Sequence, residues 1–260
     1  MLVRILSIAL SAAFALAVPS IGKTQEDKSE KHPLASLPLR NIGPAITSGR
    51  ISDFAFYPGG DNAFLVGVAS GGLWRTQNAG ITWEPLFDNE ASYAIGVVEI
   101  DPNDSKTIWV GTGENLAQRS VAYGDGVYKS IDGGKSWSNV GLKDSGHIGM
   151  IWINPEDSNE VLVAAQGPLW SDGGDRGLYR TSDGGGSWER ILEIDEHTGV
   201  NEVLVDPTNH DVILASTYQR RRHVWTLIHG GPGSGLQRST DRGKTWTKVT
   251  SGLPSDHMGK

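Results

Sequence analysis

The sequence predicts an all-β protein: a β-propeller of four-stranded blades, with four blades present in an incomplete ring. Three observations predict it. An eleven-residue segment ending in tryptophan occurs four times without gaps: Leu73 to Trp83 (LWRTQNAGITW), Val127 to Trp137 (VYKSIDGGKSW), Leu178 to Trp188 (LYRTSDGGGSW) and Leu236 to Trp246 (LQRSTDRGKTW). A second landmark precedes each copy: Tyr57-Pro58, Asp101-Pro102, Asn154-Pro155 and Asp206-Pro207. Strand-like alternation fills the space before each proline. The tryptophans lie 54, 51 and 58 residues apart, and a repeat of about 50 residues built from four short strands is a propeller blade. One such blade cannot bury both its faces, so neighbours must stack around an axis. A β-sandwich, the competing architecture, does not require the same turn sequence four times.

The elements follow in chain order. Residues 1–22 read as a signal peptide: Arg4 gives the positive start, Ile5 to Val18 is the apolar run, and Ala15-Leu16-Ala17 supplies a small-residue cleavage site. That run is too short to span a bilayer, which takes about 20 apolar residues, and no later segment is long and apolar enough. Residues 23–36 open with KTQEDKSEKH and read as a polar linker. The propeller segment is 37–260, with blades at about 49–88, 94–140, 147–192 and 199–250. In each first strand the second and fourth positions before the proline are apolar: Phe54 and Phe56, Val98 and Ile100, Ile151 and Ile153, Val203 and Val205. This is period-two burial of one face. A proline turn leads to second strands at Ala63 to Val68, Thr107 to Gly111, Glu160 to Ala165 and Asp211 to Ser216. The third strand carries the Arg/Lys-Ser/Thr pair, and the fourth begins near the tryptophan.

Composition narrows the function. The 260 residues carry 23 basic and 30 acidic side chains, a net charge of −7, which argues against a general nucleic-acid binder. With no cysteine, disulfide frameworks, thiolate metal sites and cysteine nucleophiles are excluded. An exported chain without cysteine fits a periplasm or a secreted setting. No cofactor is expected. The histidines at the blade entries, His147, His197 and His257, lie in no metal-ligand spacing, and Gly230 to Gly235 (GGPGSG) lacks the Lys-Ser/Thr of a phosphate loop.

Each repeated segment is read as a structural turn. Asp132, Asp183 and Asp241 fold back onto N–H groups of their own turn, and Asn78 does so with its amide oxygen in the first copy. Gly80, Gly134, Gly185 and Gly243 sit where a positive φ is needed. Trp83, Trp137, Trp188 and Trp246 lie across the hairpin. Four equivalent copies on the outside of a ring cannot converge on one substrate, so a catalytic or calcium-binding role for their aspartates is set aside. The segments, of form Ser/Thr-x-Asp-x-Gly-x-Ser/Thr-Trp, resemble the Asp-box or BNR repeats, most clearly in SIDGGKSW and TSDGGGSW. With VEIDPND and VLVDPTN, the resemblance covers about Leu39 to Lys260. The whole looks like exported bacterial propellers of the sortilin-N-terminal-like or "glycosyl hydrolase, BNR repeat" type. Three departures matter. The chain has no cysteine, unlike receptors with a cysteine-rich module; Leu39-Arg40-Asn41-Ile42-Gly43-Pro44 is not the Phe/Tyr-Arg-Ile-Pro start of sialidases; and no segment matches the acid–base Asp pair of glucanases.

Candidate ligand contacts come from the connections between second and third strands, whose length varies. The first is only Ser70-Gly71-Gly72, whereas the others run from Thr112 to Gly126, Gln166 to Gly177 and Tyr218 to Gly235. Swelling on one face of a repeat protein marks a binding face. They supply Glu114, Asn115, Arg119, Arg176, Tyr218, Gln219, Arg220 and Arg221 as ligand-binding candidates, with no residue assigned as catalytic. The function expected is a non-catalytic binding or scaffolding module for a protein, peptide or glycan. The alternative is a sialidase-like or glucanase-like glycoside hydrolase, which two carboxylates about 5–10 Å apart in the axial funnel would favour. Residues 251–260 resemble the entry to the third blade at Gly141 to Gly149 and read as the start of a further blade. Further blades or a partner chain are therefore expected to cover blades one and four, and the chain alone to form an open arc that self-associates.

Overall fold

The computed structural model describes residues 49–60, 62–254 and 258–259. The chain divides into two units, Met1–Asn41 and Ile42–Lys260. The first unit lies outside the described residues, and with it the expected signal peptide and linker. In the second unit four antiparallel sheets follow one another along the chain, with no α-helix among the described residues.

Blade one is β1 (Ile51–Phe56), β2 (Phe64–Val68), β3 (Gly72–Thr76) and β4 (Glu84–Pro85). Blade two is β5 (Ile95–Ile100), β6 (Ile108–Thr112), β7 (Val127–Ser130) and β8 (Ser138–Gly141). Blade three is β9 (Ile148–Ile153), β10 (Val161–Ala165), β11 (Gly177–Thr181) and β12 (Glu189–Leu192). Blade four is β13 (Thr198–Asp206), β14 (Asn209–Arg222), β16 (Gly235–Ser239) and β17 (Thr247–Val249), with β15 (Leu227–His229) paired to the far end of β14. Each sheet is ordered as its chain runs, first strand innermost. This is a β-propeller whose four blades do not close.

The fourth blade departs from the sequence reading. Residues Tyr218 to Arg222, expected in a connection, continue β14, and Arg220 to Arg222 pair with Leu227 to His229 as a hairpin. A strand leaving its own sheet needs new partners for its N–H and C=O groups, and β15 supplies them.

Alternation along the strands gives each blade two apolar faces, one for each neighbour. Leu65 and Leu73 of blade one meet Val98, Ile108 and Val110 of blade two. Trp109 and Val127 meet Ile151, Val161 and Val163 of blade three, and Leu162 and Leu178 meet Val203, Ile213 and Ala215 of blade four. Full burial of such side chains stabilises by about 1.5–3 kcal/mol each. Near the axis the inner strands approach so closely that a side chain does not fit: a Cβ on Gly96 would lie 2.3 Å from the Ile148 carbonyl oxygen, and one on Gly149 2.2 Å from that of Asn201.

The Asp-box turns share one hydrogen-bond pattern. In the second box, Asp132 Oδ1 accepts from the Ser136 N–H at 2.9 Å and the Ser130 hydroxyl at 2.8 Å, while Oδ2 accepts from the Ser136 hydroxyl at 2.6 Å. Asp183 makes the same three contacts with Ser187 and Thr181, and Asp241 with Thr245 and Ser239. In the first box Asn78 Oδ1 accepts from the Thr82 N–H at 2.9 Å. Gly80, Gly134, Gly185 and Gly243 have φ of 86°, 83°, 99° and 82°. The residue before each is left-handed too, including Ala79 and Arg242 at 55° and 61°, a tight pairing the repeat pattern does not reveal.

Candidate functional site

The inner strands line an axial cavity of about 490 Å³. Blade one contributes Arg50 and Asp53, blade two Glu99, Glu114 and Asn115, blade three Met150 and blade four Glu202. Strand geometry puts them there. On β5 the apolar Val98 and Ile100 point into the joint between blades one and two, so Glu99 between them points the other way.

Four carboxylates therefore line the cavity with one guanidinium among them. Arg50 is ion-paired with Glu114, which is almost fully buried and also accepts from the Ala122 N–H at 3.3 Å. Asp53 accepts from the N–H groups of Val98 and Phe54, each at 2.9 Å. Burial outweighs those bonds and raises its carboxyl above the ordinary value. Glu99 has no hydrogen-bond partner among the described residues, and burial, with the Asp53 charge second, pushes it up to about 7. Glu202 is exposed to the cavity. Among the described residues no group of three or more metal-ligating side chains is present.

Of the sequence candidates, Glu114 and Asn115 line this cavity and the others do not. Asn115 Nδ2 donates to the Gly149 carbonyl at 3.3 Å, and its Oδ1 accepts from Gln166. The three long connections do meet one another. Arg220 donates to the carbonyls of Leu116 at 2.8 Å and Gly167 at 3.3 Å, Arg222 to Ala117 at 3.2 Å, and Arg119 to Val224 at 2.8 Å. Arg221, on the opposite face of the strand, pairs with Asp172.

These arginines serve as fasteners. Arg176 is 2% exposed, and its guanidinium donates to the carbonyls of Gly173, Gln166, His197, Pro168 and Ser171, all in or beside its own connection. That accounts for all five N–H donors. Arg220 is likewise buried, and desolvation lowers its pKa to about 9. The Tyr218 hydroxyl is engaged with His229 Nδ1 at 2.6 Å, and Gln219 Oε1 accepts from Gly233 at 3.3 Å. His147 donates from Nδ1 to the Glu114 carbonyl at 2.8 Å; burial, then the charges of Arg220 and Arg176, hold its pKa well below the usual value.

The sequence reading missed Arg50, Asp53, Glu99 and Glu202. A signal was present: Glu99 interrupts the apolar run Ile95-Gly96-Val97-Val98-Glu99-Ile100, and a charge inside a buried strand requires a cavity or a partner.

The family model for Sortilin-Vps10, described as "Sortilin, neurotensin receptor 3", matches residues 125–256. A xyloglucanase of Paenibacillus sp is 24% identical over 251 residues, covering 86% of this chain and 23% of that protein. The photosystem II stability/assembly factor HCF136 of Cyanidioschyzon merolae is 25% identical over 200 residues, covering 73% of this chain and 41% of that protein. The crystal structure of an ancestral GH74 enzyme superposes with a TM-score of 0.60 at 20% identity, over 79% of this chain and 24% of that one. The chain spans about a quarter of the length of the xyloglucanases it matches.

Proposed function

The chain belongs to the Sortilin-Vps10 family, and from that premise we propose that its propeller is a non-catalytic binding module that takes a basic peptide or protein segment in the axial cavity. One observation carries the reading: Asp53, Glu99 and Glu202 line the cavity with no cation paired to any of them among the described residues. Ionised carboxylates are acceptors only, so Glu202 and Asp53, joined by Glu99 once it ionises above about pH 7, favour a ligand that brings donors and positive charge, as lysine and arginine side chains do. Among the described residues no aromatic side chain lines the cavity to stack on a sugar ring, which favours a peptide over a glycan. Export is part of the proposal; it rests on residues 1–22, outside the described residues.

A second reading has its own support. Glu99, protonated up to about pH 7 beside Asp53, resembles a general acid beside a carboxylate base, and several relatives are xyloglucanases. Titration calorimetry with a lysine/arginine-rich peptide, a neutral peptide and a xyloglucan oligosaccharide separates the two. The binding module takes up only the basic peptide, and Glu99→Gln with Glu202→Gln weakens it at least tenfold. No binding, or binding indifferent to these substitutions, overturns it. Reducing-end release from xyloglucan that Glu99→Gln abolishes establishes the hydrolase instead.

A further inference from the structure

Blades two and three each have a described blade on either side, and the connection face above their joint opens a groove of about 460 Å³. Three segments wall it: the connection between β6 and β7, the link from β8 to β9, and the connection between β10 and β11. The groove shares no lining residue with the axial cavity. Its walls are closely packed backbone. The Gly124 N–H donates to the Gly146 carbonyl at 2.8 Å. A Cβ on Gly174, whose φ is 72°, would lie 2.6 Å from the Asp144 carbonyl oxygen. Glycine at these approaches leaves the floor free of side chains.

One aromatic ring borders this floor, and the fold holds it in place. Tyr123 lines the groove and is 51% exposed. The buried His147 ring lies against it, centroids 5.5 Å apart, and the Trp170 side chain sits at its hydroxyl. Its backbone is fixed as well, because Ser92 Oγ donates to the Tyr123 carbonyl at 3.1 Å. Around the ring stand three polar side chains with no hydrogen bond or ion pair among the described residues: the Lys143 ammonium, the Asp144 carboxylate and the Ser171 hydroxyl. The remaining charge at the rim, Asp172, is ion-paired with Arg221 and bonded to His197 Nδ1 at 2.8 Å. One free positive and one free negative group are left, so the uncommitted charges balance.

We propose that this groove is a second binding site, separate from the axial cavity, and that it takes a neutral oligosaccharide. A sugar ring carries a patch of C–H groups, which packs on an aromatic face, and a belt of hydroxyls that both donate and accept. The groove matches both parts. Tyr123 supplies the face, Lys143 only donates, Asp144 only accepts, and Ser171 does either. Balanced charge gives no advantage to an ionic ligand, and Lys143 repels the basic peptide that suits the axial carboxylates. The ring and the glycine floor are in position before a ligand arrives, which reduces the ordering cost of binding. The volume falls in the range of small-molecule sites, about 300–1,000 Å³.

Titration calorimetry on the 260-residue chain with cellotetraose, maltotetraose and the anionic tetragalacturonate tests this. At least one of the two neutral sugars should bind, and more tightly than tetragalacturonate. Tyr123→Ala should weaken that binding at least about tenfold, whereas Tyr123→Phe, which keeps the ring, should retain it. Glu99→Gln with Glu202→Gln should leave it unchanged, so the result stands whether or not the axial cavity binds a basic peptide. Circular dichroism checks that Tyr123→Ala is folded, and Lys143→Ala with Ser171→Ala takes its place if it is not. Failure of both neutral sugars to bind overturns the proposal, as does binding that the groove substitutions leave intact. Loss of sugar binding with the Glu99 and Glu202 substitutions moves the sugar to the axial cavity, and a preference for tetragalacturonate makes the groove an anion site. Either result also overturns it.

Discussion

Asp132 and Glu99 are both carboxylates, and the fold treats them oppositely. Asp132 lies in a turn whose N–H and hydroxyl groups point at it, and those donors, led by the Ser136 and Ser130 contacts, hold its pKa well below the usual range. Asp183 follows the same rule, and Asp241 is lowered to about 2, with the Thr245 hydroxyl as the largest cause. A lowered carboxyl contributes stability that is present above its unfolded value, about 4, and lost as pH falls through the folded one. Asp241→Asn should therefore flatten the loss of stability between pH 4 and pH 2, measured by urea unfolding across that range. Glu99 has the reverse sign. Its folded pKa of about 7 exceeds the ordinary carboxylate value, so the folded state holds the proton more tightly and stability falls as pH rises from about 4.5 to 7. The shift corresponds to about 3 kcal/mol. Glu99→Gln should abolish that slope in the same urea series; an unchanged slope means another group titrates there.

At the scale of the element, a box is a turn and also one side of a joint. Trp188 anchors blade three to blade two through the Val140 carbonyl, whereas Trp83 has no such acceptor among the described residues. Trp188→Phe should cost about 1 kcal/mol or more, the worth of one hydrogen bond plus some packing, and Trp83→Phe close to none. Chemical denaturation of the two variants makes the comparison. The connection from Gln166 to Gly177 depends on Arg176 in the same way that a small domain depends on a core residue. Arg176→Met strips five carbonyls of their donor and should cost at least about 3 kcal/mol.

For the whole propeller unit, blades that touch only their neighbours would unfold from the ends inward. The contacts of Arg220, Arg222 and Arg119 change this, because they tie the connection of blade two to blade four and bypass blade three. Arg220→Met with Arg222→Ala should release blade four from the rest. Native-state hydrogen exchange should then show faster opening at β16 and β17 while β6 and β10 keep their protection. Uniform acceleration across all blades would mean that the unit opens only as a whole.

The sequence by itself determined the blades. Period-two alternation in the first strands, the proline turns and the box residues act locally, through turn geometry and the choice of buried face, so they can be read along the chain. The acceptors on the Asp132, Asp183 and Asp241 side chains find donors within four residues of themselves. Only the tertiary structure decided the site. Asp53, Glu99 and Glu202 come from three different blades and meet because the inner strands of those blades curve around one axis, a proximity no spacing encodes. It also decided what the arginines are for: Arg176 and Arg220, readable as ligand contacts in a long connection, find backbone carbonyls that only the folded connections bring within reach. Local turn chemistry is written in adjacent residues, whereas burial and charge partners depend on contacts across tens of residues, where the sequence carries no distance.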